Sequence, residues 1–451
     1  MLKRVGRFVN GFSTFYYFGD TVGLRFLLSS SSSNILTWNT RYGKAPDVSA
    51  KALAGVKVLE YCQMVAGPYC TKLLADLGAE VIKVEKPGVG DKSRTRAPFL
   101  NDNPHPERSG LFLYLNTNKL GITLNVENIT GKNIFVELAK ESDVLVEDTP
   151  PQTMRKLGLN YRSLKAINPK LIMTSISPFG QTGPYGNYKA YHINTFHSGG
   201  EGYLTPAWMG TGYLHRPPLN EGKYVGEYES GISAAVATLG ALYCQRLSGL
   251  GQSIDISKQQ ALIALNPREL ACYPNEGWLA SRATRTLRFG GIIPCKDGYM
   301  ELDLYEEHEW QALVALMGSP EWTKDKRFKD RLSRAKHGLE LNQLIGEWMK
   351  HHSKEEIYHK GQALGCPVAP YNTTKEVLDS EQMEAREFFV EIEHPEAGKS
   401  KYPSAPYKFS KTPWKAGRPA PLFGQHNEKV YCRRLGYSKE EFIQLREAGV
   451  I

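Results

Sequence analysis

The 451-residue sequence lacks most of the short signatures that assign a chemistry on sight. Its seven cysteines stand at 62, 70, 244, 272, 295, 366 and 432, with no C-x-x-C pair. No Cys/His group has zinc-ligand spacing, so no metal is expected. An odd, scattered set of thiols in a long chain points to reduced cysteines in an intracellular compartment. Cys62 and Cys70 are candidate nucleophiles, but small core residues are the commoner use of such positions. No stretch reaches the roughly 18 uninterrupted apolar residues of a membrane helix, so no membrane partner is expected. G-x-G-x-x-G is missing after the first strand-like run, which weakens a nicotinamide-cofactor reading. No dense Lys/Arg stripe with interleaved aromatics occurs, which argues against nucleic acid. No internal repeat is found.

What is present is an ordinary globular composition, 41% hydrophobic and 23% charged, so a packed core is expected. The length suits two or three domains, or one large α/β enzyme with a smaller insertion. The net charge of +9 is uneven. Residues 1–51 hold seven basic and two acidic residues, whereas the remaining 400 carry only +4. This lead also contains "SSSSS" at 29–33. It reads either as a mitochondrial-type transit segment or as a disordered extension or mis-assigned start. The location is accordingly the cytoplasm, or the mitochondrial matrix if residues 1–52 are a transit peptide.

From residue 53 the texture changes. "VKVLEY" (56–61), "AEVIKVE" (79–85), "LGITLNV" (120–126), "DVLVED" (143–148) and "KLIMTSIS" (170–177) read as buried strands. The segments 66–78, 131–141 and 151–159 between them read as helices, the first with Pro68 in its opening turn and Gly78 after its end. Strands alternating with helices predict right-handed crossovers and an open parallel sheet. A helix is expected at 231–246 and a strand at 251–257. After about 265 a hairpin (290–305) and helices to about 364 suggest a smaller α+β domain. Lys83, Lys86, Lys119, Lys156 and Lys189 fall near strand ends or loops, where ligands of open α/β sheets bind. Together they suggest a polyphosphorylated ligand.

Two carboxylates, Glu227 and Glu229, stand in "KYVGEYESG" before the apolar run "ISAAVATLGALYC". The helix dipole favours acids at such a place by ~0.3–1 kcal/mol each, which is a sufficient structural reason. The alternative is a carboxylate facing a cleft, kept ionised and able to act as nucleophile or base.

Seven segments then occur in the order and spacing of one family. They are "LAGVKVLEYCQMVAGPYCTKLLADLGAEVIKVEKPGVGD", "NTNKLGITLNV", "DVLVEDTPPQTMRKLGLNY", "INPKLIMTSISPFGQTGPY", "YVGEYESGISAAVATLGAL", "GQSIDIS" and "APLFGQHNEKVYCRRLGYSKEEF". From about residue 53 to the end the chain resembles the class III CoA-transferases, which include formyl-CoA transferase and carnitine CoA-transferase. Alpha-methylacyl-CoA racemase is a relative. The resemblance implies a Rossmann-like α/β large domain with a parallel sheet (53–264), a smaller α+β domain (265–370) and a return segment (371–451). It also implies an interlocked homodimer, with a heteromer of paralogues as the alternative, and acyl-CoA and carboxylic acids as substrates.

The same resemblance implies a carboxylate nucleophile that passes through a mixed anhydride and an enzyme-bound CoA thioester. The family's residue is an aspartate, and the matching position here is Glu227. The extra methylene moves the carboxylate by ~1.5 Å, and a displacement of about 1 Å can cost ~100-fold in rate if nothing compensates. For CoA, Val65 and Ala66 match backbone contacts near the pantetheine. Lys86 stands where an arginine meets the adenosine phosphates, and Leu124 and Asn125 match the adenine side. Asp148 and Thr149 stand where Asn-Phe or Asn-Tyr is common. Lys156 replaces an arginine, which keeps the charge but loses the bidentate fork, and Lys189 matches a lysine. Tyr191 matches an active-site aromatic. His192 stands where transferases carry an acid, one position after the racemase histidine. A His192–Glu227 pair exchanging an alpha proton is one alternative activity, and a non-catalytic CoA-binding partner subunit is another. The loop 197–219, with Tyr203, Trp208, Tyr213 and His215, is expected to line the acyl pocket and suggests a bulky or aromatic group.

Overall fold

Five of the expected strands, and a sixth at 253–257, join in one sheet. In the computed structural model β1 (Lys57–Tyr61), β2 (Glu80–Glu85), β3 (Leu120–Thr123), β4 (Val144–Glu147), β5 (Ile172–Ser177) and β6 (Ser253–Ser257) are all parallel. Their spatial order is β3-β2-β1-β4-β5-β6. The chain runs outward from β1 to β3, then returns to lay β4 on the other side of β1. That reversal leaves a crevice beyond the carboxyl ends of β1 and β4, the usual ligand position in open α/β sheets.

The structure describes residues 9–10, 13–14, 51–205, 217–222, 224–282, 289–415 and 417–451. The chain divides into two units, residues 1–50 and 51–451. In the first, Val9–Asn10 and Ser13–Thr14 pair antiparallel. The transit-like reading of residues 1–52 therefore lies almost wholly outside the described residues.

Alternation along the strands builds a core on each face of the sheet. On one face Val58, Val81, Val146 and Ile176 meet α1 (Ala66–Asp76) and α5 (Val225–Ser248). On the other, Leu59, Ile82, Ile122 and Leu145 meet α2 (Ile129–Lys140), Met154 of α3 (Pro151–Leu157) and the chain's end, Val430, Tyr431, Val450 and Ile451. Burial on both faces explains why the strands read as continuous apolar runs.

A second, antiparallel sheet of three strands, Gly291–Cys295, Gly298–Leu302 and Val368–Pro370, packs with helices over its own core, including Ile293, Met300, Trp310, Leu341, Ile345 and Ile357. The hairpin expected at 290–305 is present, turning at Lys296–Asp297. No helix among the described residues is long and apolar enough to cross a membrane.

Candidate active site

The helix expected from 231 begins six residues earlier, at Val225. Tyr224 caps it in the left-handed conformation (φ +64°), and its carbonyl accepts the N–H groups of Glu227 and Tyr228. Glu227 therefore lies in the first turn, while Glu229 has moved into the second. The buried stripe of α5 is small: Gly226, Ser230, Gly231, Ala234, Ala235 and Thr238. Small residues let two helix backbones approach. A methyl group on Gly231 would come within 2.7 Å of the Ala66 carbonyl at the start of α1. This contact brings the amino ends of α1 and α5 together, and Glu227 with them.

Glu227 is 8% exposed. Its Oε2 accepts a 2.6 Å charged hydrogen bond from Lys258 Nζ. Lys258 opens a short helix, α6 (Lys258–Ile263), directly after β6, and Ser257 caps that helix through Gln260 N–H.

His192 opens α4 (His192–Ser198). A methyl group on Gly226 would lie 3.3 Å from its Cε1, so the imidazole sits against the residue before Glu227. Both ring nitrogens are hidden from solvent, without a hydrogen bond of normal geometry among the described residues. Burial lowers the His192 pKa; Glu227 and the nearby Glu221 main chain pull the other way by less.

Asp148 follows β4 at the sheet reversal, and both its oxygens accept from Gln63 N–H, at 3.0 and 3.1 Å, from the loop after β1. Burial pushes its carboxyl up to about 8, against the weaker pull of the Lys258 ammonium. Met64 in the same loop is also left-handed (φ +65°). Two non-glycine residues in this conformation flank the crevice, each held at a cost of about 1–3 kcal/mol, as is common at functional sites.

Of the positions expected to meet CoA, Val65, Ala66 and Asp148 gather at this crevice. Val65 and Ala66 are fully buried, main chain included. Lys86 lies after β2 and pairs with Glu127 at 2.8 Å, close to Asn125, whose Oδ1 accepts from Glu127 N–H. Leu124 beside it is buried. Lys156 and Lys189 are exposed. Thr149 donates to Glu147 through both its N–H and its hydroxyl. Tyr191 is 83% exposed. Tyr203 is exposed; Trp208, Tyr213 and His215 lie outside the described residues.

Two of the strand-end lysines are not ligand-facing. Lys83 and Lys119 are wholly buried and both bond Glu60, at 2.8 and 2.9 Å. Lys83 also bonds Asp91 at 2.7 Å. An acid inside a buried strand requires counter-cations, and Glu60 in "VLEY" was the signal for both. Cys62 and Cys70 are buried thiols, which pushes the first well above its ordinary pKa and the second up to about 12, so neither is a poised thiolate. Among the described residues no group of three His, Cys, Asp or Glu could hold a metal ion. Lys258 was missed because 31 residues separate it from Glu227, and the β6–α6 connection closes that gap.

Residues 53–427 match CoA-transferase family III. The chain is 34% identical over 423 residues, 90% of its length and all of the relative's, to the formyl-CoA:oxalate CoA-transferase of Streptomyces coelicolor. It is 31% identical to the succinyl-CoA–D-citramalate CoA-transferase of Chloroflexus aurantiacus, covering 89% of this chain and 98% of that one. The crystal structure of a CAIB/BAIF family protein from Brucella suis superposes with a TM-score of 0.76 at 28% identity, covering 85% and 99% of the two chains. The chain belongs to CoA-transferase family III and is an enzyme of that class.

Proposed function

We propose that this enzyme moves CoA from an acyl-CoA to a free carboxylic acid with Glu227 as the nucleophile. The observation that carries the proposal is the placement of Glu227: in the first turn of α5, nearly buried, and held by Lys258. The carboxylate attacks the thioester carbonyl, giving a mixed anhydride and CoA thiolate. The thiolate attacks the glutamyl carbonyl, releasing the donor acid and leaving a Glu227–CoA thioester. The acceptor carboxylate then repeats these steps in reverse. The family's usual aspartate is here one methylene longer, and Lys258 offers the contact that fixes the longer arm.

CoA is placed with its pantetheine along the main chain of Val65 and Ala66 and its adenine side at Leu124 and Asn125. Lys86, Lys156 and Lys189 are the proposed phosphate partners. Exposure of Lys156 and Lys189 supports this, as does a cavity of about 320 Å³ lined by Arg162 and by Arg155, the residue before Lys156. Asp148 and Thr149 are proposed as further CoA contacts, and Tyr191 and His192 are proposed to border the acyl group. A second copy of the chain is the proposed partner. Ile232, Val236, Tyr243 and Leu247 leave an apolar row exposed along α5, which a partner would cover.

The test is a panel of formyl-CoA and succinyl-CoA as donors with oxalate, D-citramalate, acetate and benzoate as acceptors. Protein loaded with donor is treated with hydroxylamine or borohydride and its peptides mapped. Modification at Glu227 is expected; turnover with Glu227 unmodified would overturn the proposal.

The placement of the His192 ring beside Glu227 supports a second activity, alpha-proton exchange on 2-substituted acyl-CoAs. It predicts deuterium uptake from heavy water without an acceptor acid, and no uptake would remove it.

A further inference from the structure

We infer that Lys258 is the counter-cation for the negative charge that travels through the reaction, and that it binds the reacting carboxylate of the acceptor acid. This rests on Glu227 as nucleophile.

Before reaction one negative charge lies on Glu227. Attack on the donor, R–CO–S–CoA, forms a bond between a Glu227 oxygen and the acyl carbon and breaks the C–S bond, so the charge leaves on the CoA thiolate. Thiolate attack on the glutamyl carbonyl breaks the anhydride C–O bond and moves the charge to R–COO⁻. When that acid departs, the thioester at Glu227 is neutral. Lys258 then keeps its charge and has lost its carboxylate partner. The next anion to arrive is the acceptor, R′–COO⁻. Its attack on the glutamyl carbonyl returns the charge to the thiolate, and thiolate attack on the R′ carbonyl returns it to Glu227. One cation within reach of Glu227 serves every stage.

The surroundings leave that task to Lys258. Among the described residues no other Lys or Arg pairs with Glu227. Lys83 and Lys119 are committed to Glu60 and Asp91 in a sealed interior. His192 lies beside Glu227, but burial favours its neutral ring. Lys258 keeps 16% of its side chain exposed, so an entering anion can reach it. Its position at the start of α6 also opposes that helix's dipole. Local helix energetics do not select a cation there, whereas a charge partner across the crevice does.

Recognition by the reacting carboxylate itself gives a clear signature. In K258M the KM of the fastest acceptor in the panel should rise by roughly 10- to 100-fold, the worth of a charged hydrogen bond. The KM of the donor should stay within about threefold, because the donor thioester is neutral at the reacting carbon. K258R should restore most of the acceptor affinity, and Glu227 should still be trapped as its thioester. An unchanged acceptor KM in K258M, or equal rises for donor and acceptor, overturns the inference while labelled Glu227 leaves the nucleophile standing. Absence of label in turning-over wild-type protein instead removes the nucleophile itself. If K258M does not fold, the wild-type enzyme decides. The carboxamide of the fastest acceptor should inhibit at least about 10-fold more weakly than a non-reacting carboxylate of the same shape, and equal inhibition overturns the inference.

Discussion

The large sheet carries two acid–lysine groups, and they do opposite things. Glu60, Lys83, Asp91 and Lys119 are sealed, their side chains fully buried and their charges spent on one another. Burial alone would raise the Glu60 pKa, but the two ammonium groups overcome it and hold Glu60 down to about 2. Glu227 and Lys258 form an isolated pair at the edge of a crevice, 10% and 16% exposed. Next to them lie an imidazole without a hydrogen bond of normal geometry among the described residues and an aspartate pushed toward its neutral form. A buried ion pair is thus weak evidence for chemistry. What separates the two is whether a ligand can enter and take over a partner.

The comparison can be broken by substitution. E227Q should lose more than roughly 1,000-fold in kcat, as removal of a nucleophile does, with little change in the melting curve. Near-normal turnover would place the chemistry elsewhere. K83M should do the reverse. Leaving Asp91 without a cation, and Glu60 with Lys119 alone, should cost about 3–5 kcal/mol in urea unfolding, with the kinetics of the remaining folded protein unchanged. A finer test is E227D, which restores the family's usual acid. With Lys258 placed for the longer arm, kcat should fall about 10- to 100-fold; equal or faster turnover would show that the pocket does not select glutamate.

The smallest effect concerns Asp148. Its folded pKa of about 8 lies above the ordinary 3.8. Between those values the folded protein holds a proton that the unfolded chain releases, so this group's contribution to stability falls as pH rises. Asn at 148 removes the titration. The melting temperature of D148N relative to wild type should therefore climb by roughly a few degrees from about pH 5 to about pH 8. A constant difference would show that Asp148 is ionised throughout.

The sheet was legible because strands buried on both faces leave unbroken apolar runs, "VKVLEY" and "KLIMTSIS" among them. The start of α5 was not. A left-handed tyrosine cap and a glycine at 226 resemble a loop in one dimension, and only packing of Gly231 on Ala66 extends the helix through them. Glu227 was found through family register, since the helix dipole explains Glu227 and Glu229 equally well. Lys258 carried no local signal, for its meaning arises only when β6 delivers it to α5. Lys83 and Lys119 misled because strand-end position does not reveal whether a side chain turns outward or toward a buried acid.

Oxygen-18 transfer tests the central claim most directly. Let the enzyme turn over once with a donor acyl-CoA and an acceptor acid labelled in both carboxylate oxygens. Acceptor attack on the Glu227 thioester places one labelled oxygen in the anhydride bridge, and thiolate attack on the acceptor carbonyl leaves that oxygen on Glu227. The account predicts one oxygen-18 atom in the Glu227 carboxylate after a single turnover. Turnover that leaves Glu227 unlabelled would contradict it.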